Sequence, residues 1–452
     1  MIEKQVDARE IALGILINIL ENNNYSHTVL RRTLKQYQYL SKADRALITR
    51  ICEGTMERMI TLDYILNQYS SVKVNKMKPL IRNLLRMSLY QLNYMDQIPE
   101  SAVCNEAVKL AKKRGFRNLS GFVNGVLRNI SRDTKQIEYP KEEQEPGRFL
   151  SIAYSVPEWL VSELLQQYDY SVVKRLLETS FEDKKTTIRC NLNRIKPEEL
   201  KTLLEEQGVT IENGSYLPYA YQISNYDYLN QMEAFTKGYF QVQDESSMLV
   251  GAITGVKEGD YVIDVCAAPG GKSLHVAEMM NSTGQVSSRD ISEAKTSFIL
   301  ENIKRLGLTN LSVKVWDALL LDEEDTLKAD IVIADLPCSG LGVIGKKPDI
   351  KYNMTKEKLT DLVELQKEIL KVVIQYVKIG GVLIYSTCTI NQEENIKNVD
   401  WLTKNYDFKL ESIDDYLPEV LHSNTTKEGY LQLIPGLHDT DGFFLAKLRR
   451  IR

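Results

Sequence analysis

The stretch Asp264-Val265-Cys266-Ala267-Ala268-Pro269-Gly270-Gly271-Lys272 decides how the rest of the chain is read. It follows the apolar run Tyr261–Cys266, which has the character of a buried strand, and it opens a helical pattern. Small residues at such a strand-to-helix turn let a ligand approach the backbone closely, and a helix N-terminus favours polar or anionic groups. Two familiar loops are excluded. Gly271-Lys272-Ser273 could close a phosphate-binding loop, but that loop requires glycine at 266, where the chain has cysteine. The Gly-x-Gly-x-x-Gly dinucleotide pattern is absent as well. Nucleotide hydrolysis and hydride transfer are therefore disfavoured.

Outward from this stretch the rhythm of strand, loop and helix repeats. Gln285–Arg289, Leu311–Trp316, Ala329–Ala334 and Val382–Ser386 are short, mostly apolar runs, most of them separated by helical patterns such as Ser292–Leu306 and Lys356–Val377. This predicts a parallel sheet with helices on both faces over residues 241–452. Ligands of such sheets bind beyond the carboxyl ends of the strands. Three acids fall there: Asp290, Asp317 and Asp335. An acid after the second strand suits ribose hydroxyls, and one after the third suits an exocyclic amine. Each could instead cap the next helix, but three behind a glycine-rich loop point to a cofactor cleft.

The same edge should carry two cysteines, in Asp335-Leu336-Pro337-Cys338-Ser339-Gly340 and in Ser386-Thr387-Cys388-Thr389. A thiolate adding to carbon 6 of a cytosine makes carbon 5 electron-rich enough to accept a methyl group. An acid near ring nitrogen 3, where Asp335 is placed, would stabilise the charge that develops. Asn391 with Glu394 reads as a helix N-cap pair, so the positive end of a helix is expected near Cys388, lowering the pKa of its thiol. Cys52, Cys104, Cys190 and, in the loop, Cys266 read as small buried hydrophobes. No cysteine pair has zinc-ligand spacing. His275 reads as a helix-face residue rather than a base.

Residues 1–132 read as all-helical, with apolar residues at helical spacing in Leu80–Met95, Ser101–Lys113 and Leu119–Ile130. The polar stretch 133–149 reads as a linker, and 150–240 as a small α/β module with a helix near Pro157–Tyr168, a strand at Thr186–Leu192 and a helix Pro197–Gln207 closed by Gly208. The net charge of −4 is uneven: residues 1–135 hold 22 Lys and Arg against 12 Asp and Glu, and the remainder 35 against 49. A basic module on an acidic body is a nucleic-acid footprint. The early apolar run Ile11–Leu20 is too short to span a bilayer, and the acids Glu3, Asp7 and Glu10 before it argue against a signal peptide. With thinly spread, reduced cysteines, this predicts a cytoplasmic protein without membrane attachment.

Cys266–Lys272, Asp290, Asp317, Asp335–Gly340 and Thr387-Cys388 together resemble the RNA cytosine-5 methyltransferase superfamily. Residues 1–132, with Phe122-Val123-Asn124-Gly125-Val126-Leu127-Arg128, resemble the RNA-binding helical domain of the antitermination factor NusB. With Gln241–Leu249 and Asp441-Gly442-Phe443-Phe444 added, the combination resembles the bacterial Sun/Fmu family of small-subunit ribosomal RNA methyltransferases. The resemblance implies a seven-stranded Rossmann-like methyltransferase domain. It implies S-adenosyl-L-methionine held along Cys266, Ala267, Ala268, Pro269, Gly270, Gly271, Lys272, Asp290, Asp317 and Asp335. It makes Cys388 the nucleophile and Cys338 the residue that helps expel the product. The implied substrate is 16S ribosomal RNA at one cytosine, cytosine 967, and the implied enzyme is a metal-free monomer. Two departures stand out: Ser288-Arg289, where small apolar residues are usual, and Gly345-Lys346-Lys347, where arginines are. The alternatives are a tRNA cytosine-5 methyltransferase and a non-catalytic RNA-binding factor.

Overall fold

Leucines, isoleucines and valines at helical spacing fold the first third of the chain into helices Ala8–Leu20, Ser26–Gln36, Lys42–Glu57, Met59–Tyr69, Pro79–Tyr94, Glu100–Lys113 and Ser120–Asp133. The computed structural model describes residues 7–22, 24, 26–133, 137–182 and 185–452. Pro79–Tyr94 is the central helix: Ile81, Leu84, Leu85, Met87, Leu89 and Tyr90 are buried in one core with Leu13, Leu16, Ile48, Leu62, Leu110 and Leu127. Gly54 lies directly on the Tyr90 ring, and a Cβ there would sit 1.9 Å from it.

The stretch expected as a linker ends differently. A helix starts at Pro146, a residue suited to a first helical position, and runs to Ala153. Thr61 donates to the Ile152 carbonyl at 2.6 Å, and Ser155 accepts from the Ile60 N–H at 2.8 Å. This helix, with Glu158–Gln167 and Tyr170–Thr179, belongs to the helical unit, which runs to Phe181. The helices at the start of the expected 150–240 module are bonded to the bundle that precedes them; Arg58, for example, sits 3.4 Å from the Phe181 ring centroid.

The helical unit also includes a later segment, Ile344–Asn353. Asp349 accepts from the Ser26 N–H at 3.2 Å, at the start of one helix, and Lys351 donates to the Glu57 carbonyl at 2.8 Å, at the end of another. Helix ends have unmade backbone bonds, which these side chains supply. Burial pulls the Lys351 ammonium down to about 7.

The second unit comprises Glu182–Val343 and Met354–Arg452. It begins with β1 (Thr186–Cys190), β2 (Thr210–Asn213), β3 (Ala220–Ser224) and β4 (Phe240–Val242), an antiparallel sheet in the order β2-β3-β1-β4. The larger sheet holds β5 (Tyr261–Asp264), β6 (Gln285–Asp290), β7 (Leu311–Val315), β8 (Ala329–Asp335), β9 (Val377–Thr387), β10 (Phe408–Leu410), β11 (Tyr430–Leu433) and β12 (Phe443–Arg450). Seven strands form the path β10-β12-β9-β8-β5-β6-β7, and β11 pairs with β12. The strands from β7 to β9 are parallel.

Period-two alternation explains the layers. Val262, Ile331, Ile333, Val382 and Ile384 share a core with Leu249, Leu274 and Ala277, from the helices Glu245–Thr254 and Gly271–Met279. Ile263, Val332, Ala334, Leu383 and Tyr385 share another with Ile369, Val373, Val399 and Leu402, from Lys356–Val373 and Ile396–Asn405. The sheet departs from the all-parallel expectation at one side, where β12 inserts antiparallel between β9 and β10. Between Asn405 and Gly442 no helix exceeds the five residues of Asn424–Glu428. The chain therefore has no crossover helix there to return it parallel. In β6 the buried Arg289 is accommodated by Asp325, by Asp322 at 3.4 Å and by the Tyr376 ring, 5.1 Å away. No helix among the described residues is long and apolar enough to cross a membrane.

Candidate active site

β5 ends at Asp264, and the chain turns through Val265–Gly270 before the helix Gly271–Met279. Gly270 has φ +103°, and an added Cβ would press on Leu274 and Ile299 at 3.1 and 3.3 Å. The helix has no side-chain cap, so its first-turn N–H groups are not taken up by a capping residue. Asp264 is buried and accepts from Ser273. Burial pushes its carboxyl up to about 7 against the pull of that hydrogen bond and of Lys272.

Asp290 pins the loop to the end of β6. Its Oδ2 accepts from the Ala268 N–H at 3.2 Å, and its Oδ1 from the Ile291 N–H at 2.8 Å with Lys295 at 3.3 Å. The Arg289 carbonyl accepts from the Ala267 N–H at 2.8 Å. Asp317 stands two residues past β7 and accepts from the Leu319 N–H at 2.9 Å, which starts a turn rather than a helix. Ile291, Leu319 and Leu320 beside these acids are exposed.

Farther along the same edge, Asp335 and Ser386 are register partners at the ends of β8 and β9. Ser386 donates to Asp335 Oδ1 at 2.8 Å, and Lys272 Nζ donates to Oδ2 at 2.6 Å. Burial disfavours the Lys272 ammonium, but Asp335, Asp264 and Cys388 together hold its pKa above the ordinary lysine value. The two motif cysteines converge, with Cys338 Sγ 3.3 Å from Cys388 Sγ. The Cys388 hydrogen bond, burial, and the charges of Cys388 and Glu394 raise the Cys338 thiol well above its usual value. The loop beyond is braced by backbone: Gly342 N–H donates to the Cys388 carbonyl at 3.1 Å, and Gly442 N–H donates to the Gly342 carbonyl at 2.9 Å. Two glycines are required where these chains touch, since a Cβ on Gly342 would lie 1.9 Å from the Gly442 oxygen.

The remaining cysteines are of another kind. Cys52, Cys104 and Cys190 are buried; desolvation raises all three thiols, that of Cys190 to about 12. Cys266 is half-buried, and desolvation raises its thiol too. Burial holds His275 well below its usual pKa, with its ring 5.5 Å from that of Tyr219.

One expectation is corrected. Asn391 and Glu394 do not cap a helix: the helix starts at Ile396 after Asn395, and Asn391 Oδ1 accepts from the Glu393 N–H at 3.3 Å. Asn395, the residue before the helix, has its side chain held by Thr387 at 2.6 Å and the Thr389 carbonyl at 3.0 Å. The cation at this edge is the Lys272 side chain, bonded to Asp335 and with its pKa raised in part by Cys388. Sequence reasoning also gave no role to Ser386 or to the buried Arg189. Arg189 joins β1 to the helix after the loop through Gln243, the Gly271 carbonyl (3.1 Å) and Glu278 (2.9 Å). A charged residue inside an alternating strand was the available signal.

A model of the 16S rRNA methyltransferase RsmB/F family matches residues 252–449, a NusB family model matches 6–132, and a RsmF/B-like ferredoxin-like domain model matches 156–227. The chain is 36% identical over 450 residues to the "probable ribosomal RNA small subunit methyltransferase B" of Bacillus subtilis, covering 99% of each. It is 28% identical over 448 residues to the ribosomal RNA small subunit methyltransferase B of Escherichia fergusonii, again covering 99% of each. A solved methyltransferase homologue from Pyrococcus horikoshii, 25% identical, covers 67% of this chain and 97% of its own, with a TM-score of 0.58. With three consecutive domain matches and a full-length relative of this similarity, the chain belongs to the RsmB/F family of 16S rRNA methyltransferases.

Proposed function

We propose that the chain methylates carbon 5 of a cytosine in 16S ribosomal RNA, cytosine 967, through a transient bond from Cys388 Sγ to carbon 6 of the base. The observation that carries this is the 3.3 Å approach of Cys338 and Cys388 at the edge that holds the Lys272–Asp335 pair. The residues fit S-adenosyl-L-methionine as donor. The uncapped helix start at Gly271 suits its carboxylate. Oδ2 of Asp290 keeps a lone pair for a ribose hydroxyl, Asp317 suits the exocyclic amine, and Ile291, Leu319 and Leu320 offer apolar surface to a purine. That group supplies an electrophilic methyl.

The protein's own residues do the rest. The Lys272 ammonium favours the thiolate beside it, and the thiolate adds to carbon 6. The carbon 5–carbon 6 electron pair moves into the ring, and carbon 5 becomes the nucleophile that would take the donor's methyl group, so that it carries both the methyl and its original proton. Asp335, oriented by Ser386 and Lys272, holds the ring at its nitrogen 3 side. Bond formation removes the Cys388 charge and its hydrogen bond, two of the main causes that keep Cys338 a thiol. Cys338 can then ionise and take the proton from carbon 5. As the proton leaves, the carbon 6–sulfur bond breaks and the ring double bond returns. Base chemistry of this kind acts on nucleotides taken out of the stack.

Trapping with RNA containing 5-fluorocytosine tests the reading. The wild type forms a covalent adduct and Cys388→Ala does not, while Cys338→Ala accumulates an adduct even on ordinary cytosine. An adduct lost in Cys338→Ala and kept in Cys388→Ala reverses the roles. The basic helical unit is assigned the salt-dependent backbone affinity, the enzyme acting as a monomer. Deleting residues 1–132 would also strip Asp349 and Lys351 of their partners, so the cleaner test neutralises Lys73, Lys76 and Lys78. The slope of RNA affinity against salt should become shallower, and an unchanged slope removes that assignment.

A further inference from the structure

Beneath the two cysteines lies a buried carboxylate that the reaction scheme above does not use. Glu394 is fully buried. Its Oε2 accepts from the Ser339 N–H at 2.8 Å and from Gln366 Nε2 at 3.1 Å; its Oε1 accepts from Ser339 Oγ at 2.5 Å and Asn391 Nδ2 at 3.1 Å. Gln366 Nε2 also donates to the Pro337 carbonyl at 2.8 Å, and Ser339 Oγ lies 2.7 Å from Thr389 Oγ1. Glu394 therefore contacts the residue following Cys338 directly, reaches the residue preceding it through Gln366, and joins these to the loop that follows Cys388.

We infer that Glu394 is a positioning residue that clamps the Cys338 loop onto the Cys388 loop and is needed chiefly for product release. The inference rests on the proposed roles of the two cysteines. All four contacts are donated to the carboxylate, which suits its acceptor-only ionised form. Two of them go to Ser339, the neighbour of Cys338, whereas Cys388 directly follows β9, which is paired to β12 as far as Thr387 and Phe444. Loss of the clamp should then displace Cys338 more than Cys388. The Glu394 charge also helps keep Cys338 a thiol until Cys388 has bonded to the base. Glutamine has the same shape but turns a donor toward groups that already donate, so Glu394→Gln breaks the clamp without leaving a cavity.

The test uses the full chain with ordinary cytosine RNA and S-adenosyl-L-methionine, reading covalent adduct on a denaturing gel beside steady-state rates. Glu394→Gln should lower kcat about tenfold or more, leave both KM values within about twofold, and accumulate adduct as Cys338→Ala does. A merely structural role lowers activity without adduct, and that outcome overturns the inference. Adduct in Cys338→Ala but none in Glu394→Gln removes the clamp alone; adduct in neither removes the cysteine assignment and the clamp with it. Should Glu394→Gln not fold, Ser339→Ala deletes one contact and must show the same adduct, more weakly; its absence is equally decisive.

Discussion

The two ends of one sheet edge are built from different materials. Where β8 and β9 end, side chains hold side chains: Lys272 and Ser386 hold Asp335, and Glu394 holds Ser339. Where β5, β6 and β7 end, it is backbone that is held: the Ala267 N–H by the Arg289 carbonyl and the Ala268 N–H by Asp290, beside a left-handed glycine, with apolar side chains left exposed. Under the proposed function, the difference matches two demands. A group that makes and breaks a bond to carbon must be placed to within about half an ångström, which interlocked side chains achieve. A surface that binds and releases a diffusible donor at every turnover is better left open.

Lys272 offers the strongest way to break this contrast, because it starts the donor-loop helix yet its Nζ serves the cysteine end. Lys272→Met should cost about 100-fold in the rate of transfer, by analogy with loss of one preorganised charge-stabilising donor. Donor affinity, measured separately by equilibrium binding, should change far less. Equal losses in both would mean that the two ends are one structure.

A smaller effect comes from one glycine at each end. Gly342→Ala forces backbone against backbone, at about 1–3 kcal/mol, and should slow adduct formation. Gly270→Ala strains a left-handed residue at about 1–2 kcal/mol and should raise the KM for the donor with adduct formation retained. Chemical denaturation gives the stabilities and fluorocytosine trapping the rates. If both variants fail in the same step, the contrast is lost.

The mildest test is pH. Asp264, at the end of β5, has a folded pKa raised from 3.8 to about 7. The folded chain thus holds this proton more tightly than the unfolded one. Its contribution to stability is complete below about pH 4 and is lost progressively as the pH rises toward 7. Asparagine cannot ionise, so Asp264→Asn should gain in Tm relative to wild type between about pH 5 and pH 8. A Tm difference that does not vary with pH would show that the carboxyl does not titrate in this range.

Much of the architecture was legible because its signals are local. The parallel strands stand out as apolar runs since each is covered on both faces, and their ends are where Asp290, Asp335, Cys338 and Cys388 were expected. The Asn391–Glu394 spacing was legible and misleading, since it has the form of a helix cap. Whether such a glutamate faces solvent in a first turn or lies under a cysteine loop depends on Ser339 and Gln366, which come from other elements. The helix Glu158–Gln167 was expected and Pro146–Ala153 was not, and nothing near either in sequence indicates that they belong with the bundle.

By itself the sequence determined which side chains are chemically competent and at which strand ends they sit, because periodicities of 2 and 3.6 residues are properties of neighbours along the chain. Only the tertiary structure decided that two thiols fifty residues apart meet, that a lysine on the donor-loop helix pairs with the aspartate ending β8, and that a ten-residue segment packs into the helical bundle. Burial of a charge or a thiol is set by groups brought in from remote parts of the chain, and the low local dielectric they create makes each such pairing consequential.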